Sequence, residues 1–238
     1  MRGSSGRVPL VCLPFAGSGA GFYRGWRKLN TDGIEVIPLQ LPGREERFGE
    51  PFPTDVVAIA KELAMDAART SADKAPMALL GHSLGAVVAY EMARELMRMG
   101  PDLVRHLFVS GSPGPWTRRT PRATGLDDED FLDRVVEFAG YRHEAFDNPD
   151  LRSVLLPVLR ADVAMHESYD PPAHELIDIP VTSLRGANDH LVTRSHVEEW
   201  RAVTTARFSV AELPGGHMYL VDEPLALLEI VRWSTTLQ

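Results

Sequence analysis

The segment G-H-S-L-G at residues 81–85 constrains the fold of this chain more than any other feature. It follows an apolar run at residues 76–80, typical of a buried strand, and precedes residues 86–96, which are rich in good helix formers. A strand that turns this tightly into a helix leaves no room for side chains beside the central residue, so glycines flank it. We therefore expect Ser83 on a strained turn, with its hydroxyl exposed at the carboxyl end of the strand.

The length and composition of the chain narrow what such a protein can be. With 238 residues, we expect one domain over residues 8–238, preceded by a disordered polar tail at residues 1–7. The formal net charge of -8 argues against a nucleic-acid partner. Cys12 is the only cysteine, so no disulfide can form within the chain, which fits a reducing cytoplasm. No stretch is apolar over enough residues to suggest a membrane span.

Apolar runs alternate with helical patterns along most of the chain. Helical patterns are clear at residues 55–70, 193–200 and 224–233. The runs typical of strands are residues 8–13, 34–39, 76–80, 103–110, 179–186 and 206–213. Because strands that alternate with helices at this spacing usually pair in parallel, the sequence predicts an α/β fold with a mostly parallel, doubly wound sheet.

The alternation stops between about residues 112 and 178, where helical patterns occur without a convincing strand. The pattern predicts a helix after the acidic residues 127–130 and a second over residues 150–169, which Pro157 is expected to kink or split. Ordinary crossover helices are the alternative, but about 70 residues exceed what a crossover needs. We therefore predict an inserted helical lid, whose apolar stripes contain the candidate chamber residues Phe131, Val135, Phe138, Leu155 and Leu159.

A glycine-rich loop, residues 14–21, follows the first strand. It lacks the G-x-G-x-x-G spacing of a dinucleotide site, because Phe22 stands where the third glycine belongs and no acidic residue ends the next strand. In hydrolases with a serine on a strand-to-helix turn, such a loop supplies one of the two backbone N–H groups that bind the oxyanion. We expect the N–H groups of Ala16 and Leu84 to take these roles.

A serine hydroxyl needs an oriented base to become a nucleophile. In α/β-hydrolases the acid and the histidine follow the serine along the chain. Asp189 and His217 each lie in a turn after a late strand, so we predict that Ser83 attacks a carbonyl, His217 moves the proton and Asp189 orients the imidazole. The alternatives are less well placed: His82 as the base, and Asp178 or Asp222 as the acid.

Further motifs carry a resemblance to one family. They are L-P-F-A-G at residues 13–17, L-Q-L-P-G-R-E at 39–45, L-P-V-L-R-A-D at 156–162 and G-G-H at 215–217. Together with the serine turn, they resemble the type II thioesterases that accompany polyketide synthases and nonribosomal peptide synthetases. The resemblance spans nearly the whole chain. It implies an α/β-hydrolase fold and hydrolysis of acyl groups stalled on the phosphopantetheine arm of a carrier protein. The sequence differs from the family at His190, where the family more often has an acidic or small residue. This difference does not affect Asp189 as the candidate acid.

The resemblance also implies the partners. An acyl- or peptidyl-carrier domain is expected to be acidic, so this acidic chain needs a local basic patch near the site. The candidates follow the glycine loop or open the lid: Arg24, Arg27, Lys28, Arg118, Arg119 and Arg122. No cofactor or metal ion is expected, since phosphopantetheine belongs to the substrate and His166-Glu167 lacks the second histidine of H-E-x-x-H. The protein is expected to be a monomer.

Other functions stay open at this point. The same serine site would suit a carboxylesterase or lipase that acts on free small esters, or a terminal thioesterase domain of a megasynthase. The alternative from another class is a non-catalytic binding module of this fold. The intact set of Ser83, Asp189 and His217 favours an enzyme.

Overall fold

The computed structural model describes residues 7–29, 33–70, 75–118, 120–140, 144–171 and 175–236. The strands are β1 (Val8–Leu13), β2 (Ile34–Pro38), β3 (Met77–His82), β4 (Val104–Ser110), β5 (Val181–Gly186) and β6 (Phe208–Leu213). The α-helices are α1 (Ala20–Arg24), α2 (Val56–Thr70), α3 (Leu84–Met99), α4 (Asp128–Ala139), α5 (Pro149–Ser168), α6 (Arg194–Glu198), α7 (Tyr219–Asp222) and α8 (Pro224–Thr236). Short 3-10 helices lie at Gly25–Lys28, Glu45–Arg47, Glu144–Asp147 and Glu199–Val203. Of the predicted features, Arg119 and residues 1–6 of the tail fall outside the described ranges.

The six strands form one sheet in the order β2-β1-β3-β4-β5-β6, and every neighbouring pair is parallel. The predicted parallel α/β fold is therefore confirmed. The strand order reverses between β1 and β3, and ligands of such sheets bind at the carboxyl ends of the strands near this switch point. Residue 16 follows β1 and residue 83 follows β3, so the topology brings the predicted oxyanion loop and the serine to this position.

Helices cover both faces of the sheet. Successive side chains of a strand point to opposite faces, so each strand contributes to both layers. On one face, Leu79 of β3 packs in a buried cluster with side chains of α2 and α3. On the opposite face, the adjacent Leu80 packs in a second cluster with side chains of α1 and α8. The inner strands β1, β3, β4 and β5 are buried on both faces, which explains why their segments are apolar with little polar alternation.

The segment between β4 and β5 is helical, with α4 and α5 as its main elements. Among its described residues there is no strand, only an isolated bridge from Ile177 to Thr204. Of the two outcomes predicted for Pro157, a kink or a split, the split does not occur, since α5 runs from residue 149 to 168 with Pro157 inside it. Pro157 lies on the exposed face, so the Ser153 carbonyl that loses its N–H partner can bind water instead.

Helices α4 and α5 are the two helices of the predicted lid, and side chains of α5 contact α4. The Arg160 guanidinium of α5 binds the Asp128 carboxylate at 2.6 Å and lies 4.3 Å from the ring centre of Phe131 in α4. Below these contacts, Phe131 and Leu132 are buried against Leu156 and other side chains of a third cluster. In the described part of the chain, no helix is long and apolar enough to cross a bilayer.

Candidate active site

Ser83 lies on a strained turn between β3 and α3. Its φ of 53° and ψ of -115° fall in a region that non-glycine residues rarely adopt. A Cβ at Gly81 would lie 1.8 Å from the carbonyl oxygen of Gly85, and a Cβ at Gly85 would lie 2.6 Å from that of Leu13. Both flanking glycines are therefore required by backbone packing. The turn is further held by a 2.8 Å hydrogen bond from the Ser83 N–H to the Ser110 carbonyl.

Asp189 and His217 meet at the same edge of the sheet. The Asp189 Oδ2 and the His217 Nδ1 are 2.8 Å apart, and both side chains are buried. The other carboxylate oxygen, Oδ1, accepts hydrogen bonds from the backbone N–H groups of Leu191 at 2.9 Å and Val192 at 3.0 Å. The carboxylate is thus held on both sides, so only Oδ2 faces the imidazole. This leaves Nε2 as the ring atom of His217 that can exchange a proton with a substrate or nucleophile.

The loops that carry Asp189 and His217 are packed directly on one another. A Cβ at Gly186 would lie 2.1 Å from the carbonyl oxygen of Gly216, so a side chain here would force the two loops apart. Arg185, at the end of β5, holds the acid loop from the other side. Its Nε donates to the Val192 carbonyl at 2.9 Å and its Nη2 to the Asp189 carbonyl at 3.0 Å.

The environment of Asp189 favours its charged form. Burial raises the pKa of the carboxyl, but the hydrogen bond and charge of His217, with the two backbone N–H groups, outweigh it, so the pKa lies below its ordinary value. Asp189 is therefore a carboxylate at neutral pH. A carboxylate beside Nδ1 keeps the proton on that nitrogen and stabilises the imidazolium that forms when Nε2 takes up a second proton.

A cavity of about 70 Å³ lies between Ser83, His217 and the helices α4 and α5 of the predicted lid. Ser83 and His217 both line it, and most of its wall is apolar. Three of the five predicted chamber residues contribute to this wall: Val135, Phe138 and Leu159. The other two do not line it. Phe131 is buried in the third cluster, and the Arg160 guanidinium covers its ring. Leu155 lies one turn before Leu159 on α5.

The two residues predicted to donate to an oxyanion both lie close to Ser83. Ala16 lines the cavity together with Ser83, and Leu84 is the first residue of α3. Among the described residues, neither the Ala16 N–H nor the Leu84 N–H has a hydrogen-bond partner. The N-terminus of a helix favours negative charge, which adds to the attraction for a developing oxyanion.

The alternative base, His82, has a different environment from His217. Its Nδ1 lies 2.8 Å from the Ser110 hydroxyl, which in turn lies 2.6 Å from the hydroxyl of Tyr219. The His82 ring is fully buried and its centre is 4.9 Å from that of His217. The His82 ring therefore packs against the His217 imidazole, and it is not among the residues that line the cavity.

The alternative acids lie elsewhere. Asp178 is exposed before the amino end of β5, where its carboxylate accepts a hydrogen bond from the Thr205 hydroxyl. Asp222 is exposed at the end of α7. Asp189 is the one of the three that contacts His217 in the described structure.

The predicted basic residues separate into two groups. In the first, Arg24 binds Glu45 and Glu46 at 3.0 Å, and Lys28 is exposed near Arg27, whose Nε donates to the Val36 carbonyl. In the second, Arg118 lines a groove that shares His166 and Glu167 with the cavity wall, and Arg122 donates to the Glu167 carbonyl. The second group therefore lies beside the cavity.

Sequence patterns did not identify His166 and Glu167 as part of the site. Both line the cavity from the last turn of α5. The Glu167 carboxylate accepts the N–H groups of Ala123 at 2.6 Å and Thr124 at 3.0 Å, which ties the start of the lid to α5. Their helical spacing from Leu159 and Val163 is the available signal, since residues 159, 163 and 166 share one helix face. Among the described residues, no cluster of His, Cys, Asp or Glu could hold a metal ion.

Comparisons with known proteins agree on one family. The thioesterase domain model matches residues 8–234. LgrE of Brevibacillus parabrevis, named linear gramicidin dehydrogenase, is 37% identical over 97% of this chain and 88% of its own. The RedJ thioesterase of the prodiginine pathway in Streptomyces coelicolor has a TM-score of 0.83 and 35% identity, covering 95% of this chain and 85% of its own. BorB, a type II thioesterase of the borrelidin cluster, has a TM-score of 0.83 and 30% identity, covering 95% and 91%.

Proposed function

The chain belongs to the thioesterase family, and we propose that it is an editing type II enzyme that hydrolyses acyl groups from the phosphopantetheine arm of carrier proteins. The observation that carries this proposal is the shared apolar cavity of Ser83 and His217, with Asp189 bound to the far nitrogen of the imidazole. Two similar structures, the RedJ thioesterase of the prodiginine pathway and the type II thioesterase BorB of the borrelidin cluster, support the carrier-bound substrate. We place the protein in the cytoplasm, with polyketide or nonribosomal peptide synthases as its partners.

In the proposed first step, the Ser83 Oγ attacks the carbonyl carbon of the thioester while His217 Nε2 takes the hydroxyl proton. The carbonyl oxygen becomes an oxyanion that the N–H groups of Ala16 and Leu84 stabilise. The intermediate collapses with cleavage of the carbon–sulfur bond, and His217 returns the proton to the departing thiol. A thiol with a pKa of about 8.5 is a good leaving group, so this cleavage needs little help from an acid.

In the second step, water hydrolyses the acyl group on Ser83. His217 accepts a proton from the water as its oxygen attacks the ester carbon, and then returns it to the Ser83 Oγ. The free acid leaves and the serine is restored. We propose that no cofactor takes part, since the nucleophile, the base and the oxyanion donors all belong to the chain.

The name of LgrE suggests a dehydrogenase, but the loop at residues 14–21 has another role here. A Cβ at Gly17 would touch the Leu159 side chain at 3.0 Å, and a Cβ at Gly19 would lie 2.2 Å from the Glu45 carboxylate. These glycines allow close packing of the loop against α5 and the turn at residue 45. The loop also lacks the glycine spacing of a dinucleotide site.

The Arg118 and Arg122 group is the better candidate for the carrier-binding surface. Arg118 borders a groove that meets the cavity at His166 and Glu167, so a carrier bound there would have its arm close to Ser83. The net charge of the chain is -8, so attraction to an acidic carrier depends on such a local surface. Arg24 is less available, because it pairs with two carboxylates, whereas Arg118 pairs with the exposed Asp170.

The test compares one acyl group in three forms: on a carrier protein, on free pantetheine, and as a small oxygen ester. We expect kcat/KM to be highest for the acyl-carrier, lower for acyl-pantetheine and lowest for the oxygen ester. The first difference measures carrier recognition and the second measures the preference for a thioester.

Two outcomes would replace the proposal. Faster hydrolysis of the oxygen ester than of either thioester would indicate a carboxylesterase. Failure of a fluorophosphonate probe to label Ser83, with no hydrolysis of any substrate, would indicate a binding module.

We expect the Phe138→Ala variant to accept longer or bulkier acyl groups. Phe138 is half-buried and lines the cavity together with Val135, so its truncation enlarges the space beside Ser83. Its loss should lower the free energy of unfolding by less than the roughly 3–5 kcal/mol of a core phenylalanine. Acyl-pantetheines of increasing length measure the preference, and thermal unfolding measures the stability.

Phe131→Ala is the matched control for this experiment. Phe131 lies on the same helix but is only 1% exposed and does not line the cavity. We expect it to show the full core-sized loss of stability with an unchanged order of acyl preference. If Phe138→Ala behaves like Phe131→Ala, Phe138 is a structural residue and the chamber wall lies elsewhere.

A further inference from the structure

Two motifs of the sequence have no role in the chemistry described so far. One is the turn P-G-R-E at residues 42–45, and the other is the L-R-A-D stretch at residues 159–162 in α5. They are more than 100 residues apart in the chain, yet the structure brings them together at the loop that carries Ala16. We define residues 14–21 as the oxyanion loop, so this assignment rests on the proposed function.

Arg44 and Asp162 form a buried, two-point ion pair. Arg44 Nη1 donates to Asp162 Oδ2 at 2.5 Å, and Nη2 donates to Oδ1 at 2.7 Å. The exposed fraction is 6% for the Arg44 side chain and 0% for that of Asp162. Two buried charges cost free energy to remove from water, and a pair inside a protein is often no more stable than apolar residues of the same volume. Stability alone is therefore a weak explanation for this pair.

The ion pair directly contacts the oxyanion loop. The Gly17 N–H, next to Ala16, donates to Asp162 Oδ2 at 2.8 Å, and Arg44 Nη1 donates to the Ser18 carbonyl at 3.1 Å. Gly17 has a φ of 77°, so the loop turns sharply at the residue that Asp162 holds. The Gly17 N–H shares a peptide plane with the Ala16 carbonyl, so Asp162 fixes the peptide on one side of the Ala16 Cα. The Ala16 N–H lies in the peptide on the other side of that Cα.

The far end of the loop is held by the residue after Arg44. The Glu45 carboxylate accepts the Gly21 N–H at 3.0 Å and 3.1 Å. The Gln40 side chain accepts the Ala20 N–H at 3.0 Å. The turn at residues 42–45 thus holds the loop near both ends, with Arg44 and Asp162 at the end that contains Ala16.

We propose that Arg44 and Asp162 are positioning residues that hold the oxyanion loop with the Ala16 N–H directed at the reacting carbonyl. Asp162 belongs to α5, so the same contact couples the lid helix to the oxyanion donor. The pair touches neither the acyl group nor Ser83. It acts through the Gly17 N–H and the Ser18 carbonyl.

The Asp162→Asn variant separates positioning from a purely structural role. The carboxylate accepts three N–H donors on two oxygens. An asparagine has one acceptor oxygen, so in either orientation its NH2 group faces a donor, from Arg44 or from both Arg44 and Gly17. We expect kcat for acyl-pantetheine to fall by up to about 10²–10³-fold, the effect of losing one oxyanion donor, with KM within threefold.

Two ligands report on the oxyanion loop directly. A trifluoromethyl ketone analogue of acyl-pantetheine adds to Ser83 and places an oxyanion in the site, whereas an unreactive thioether analogue only fills the cavity. We expect the inhibition constant of the ketone to rise in parallel with the loss of kcat, and the dissociation constant of the thioether to stay unchanged. Equal weakening of both ligands, or kcat within threefold of the unmodified protein, would overturn the proposal.

Asp128→Asn is the matched control, since it removes an exposed carboxylate that pairs with Arg160 of α5 and does not contact the oxyanion loop. We expect it to retain kcat and both ligand affinities.

If Asp162→Asn does not fold, Arg44→Lys replaces it, because lysine keeps the charge but not the two-point geometry. We expect the inhibition constant of the ketone to rise by about tenfold relative to the dissociation constant of the thioether. An unchanged ratio of the two constants would overturn the proposal. An unmodified protein that neither hydrolyses acyl-pantetheine nor binds the ketone would instead disprove the proposed function.

Discussion

The Ser83→Ala variant is expected to lose turnover almost completely, with kcat reduced by about 10⁶-fold, the effect of removing a serine nucleophile in comparable hydrolases. The change removes only the hydroxyl. The backbone bonds of the turn, from Ser83 N–H to Ser110 and from Ala86 N–H to Ser83, do not depend on it. Alanine at φ 53° is also no more strained than serine. Steady-state hydrolysis of acyl-pantetheine measures the loss, and the midpoint of thermal unfolding should move by less than about 4 °C.

Ser195→Ala is the control for this variant. Ser195 is exposed on α6, where its hydroxyl contacts the Thr193 hydroxyl, and we expect its removal to leave kcat unchanged. Fluorophosphonate labelling adds an independent measurement, because Ser195→Ala should be labelled and Ser83→Ala should not. Hydrolysis by Ser83→Ala at the rate of the unmodified protein would show that another group is the nucleophile.

The Asp189→Asn variant is expected to lower kcat by about 10⁴-fold. The physical reason lies in the two backbone N–H groups of Leu191 and Val192, which bind Oδ1. They will orient the asparagine so that its carbonyl oxygen takes this position. Its NH2 group then faces His217 Nδ1 and donates to it, which forces the ring proton onto Nε2. An Nε2–H imidazole cannot accept the proton of Ser83, so the wrong tautomer is fixed by the loop itself.

Asp178→Asn is the matched control, since Asp178 is exposed and its carboxylate accepts a hydrogen bond from the Thr205 hydroxyl, away from His217. It should hydrolyse acyl-pantetheine at an unchanged rate. A loss below tenfold for Asp189→Asn would indicate that another carboxylate orients the imidazole.

The low pKa of Asp189 adds a pH criterion, because the carboxylate stays charged well into the acid range. Its protonation should therefore not limit kcat between pH 5 and 8.

The fold and the relative places of Ser83, Asp189 and His217 could be predicted because both depend on local rules. The Gly81 and Gly85 requirement is a steric property of a single turn, and buried strands appear as continuous apolar runs. Parallel strands bring their carboxyl ends to one edge, so the residues after β3, β5 and β6 lie at the same edge of the sheet. Chain order alone was then enough to place an acid and a histidine near the serine.

The connections between distant segments could not be predicted in this way. Arg44 and Asp162 are ordinary charged residues in a turn and a helix, and nothing in their local patterns states that both are buried. The contact depends on how α5 packs over the sheet, which is a tertiary property. The same holds for Gly186. A glycine is required there because the loop at Gly216, thirty residues later in the chain, packs directly against it.

Helical spacing shows which residues share a face, but not which neighbour covers that face. Phe131 and Phe138 are equivalent by periodicity, yet Arg160 covers the first ring and the cavity borders the second. Pro157 does not end its helix because it lies on the exposed face, where the carbonyl that lacks an N–H partner can bind water.

The attachment of the two lid helices has a consequence for how such enzymes can diversify. Helix α5 is bound to the rest of the molecule at Asp162, and the Tyr169 hydroxyl just after it donates to Glu91 of α3 at 2.6 Å. The interhelical ion pairs of α4 run to α5 instead, through Asp128 and Glu129. Mutations in α4 can therefore accumulate without changing the contacts that hold the catalytic residues. A lineage could change the acids that it releases by exchanging this one helix, while α5 and the bonds it makes are inherited unchanged.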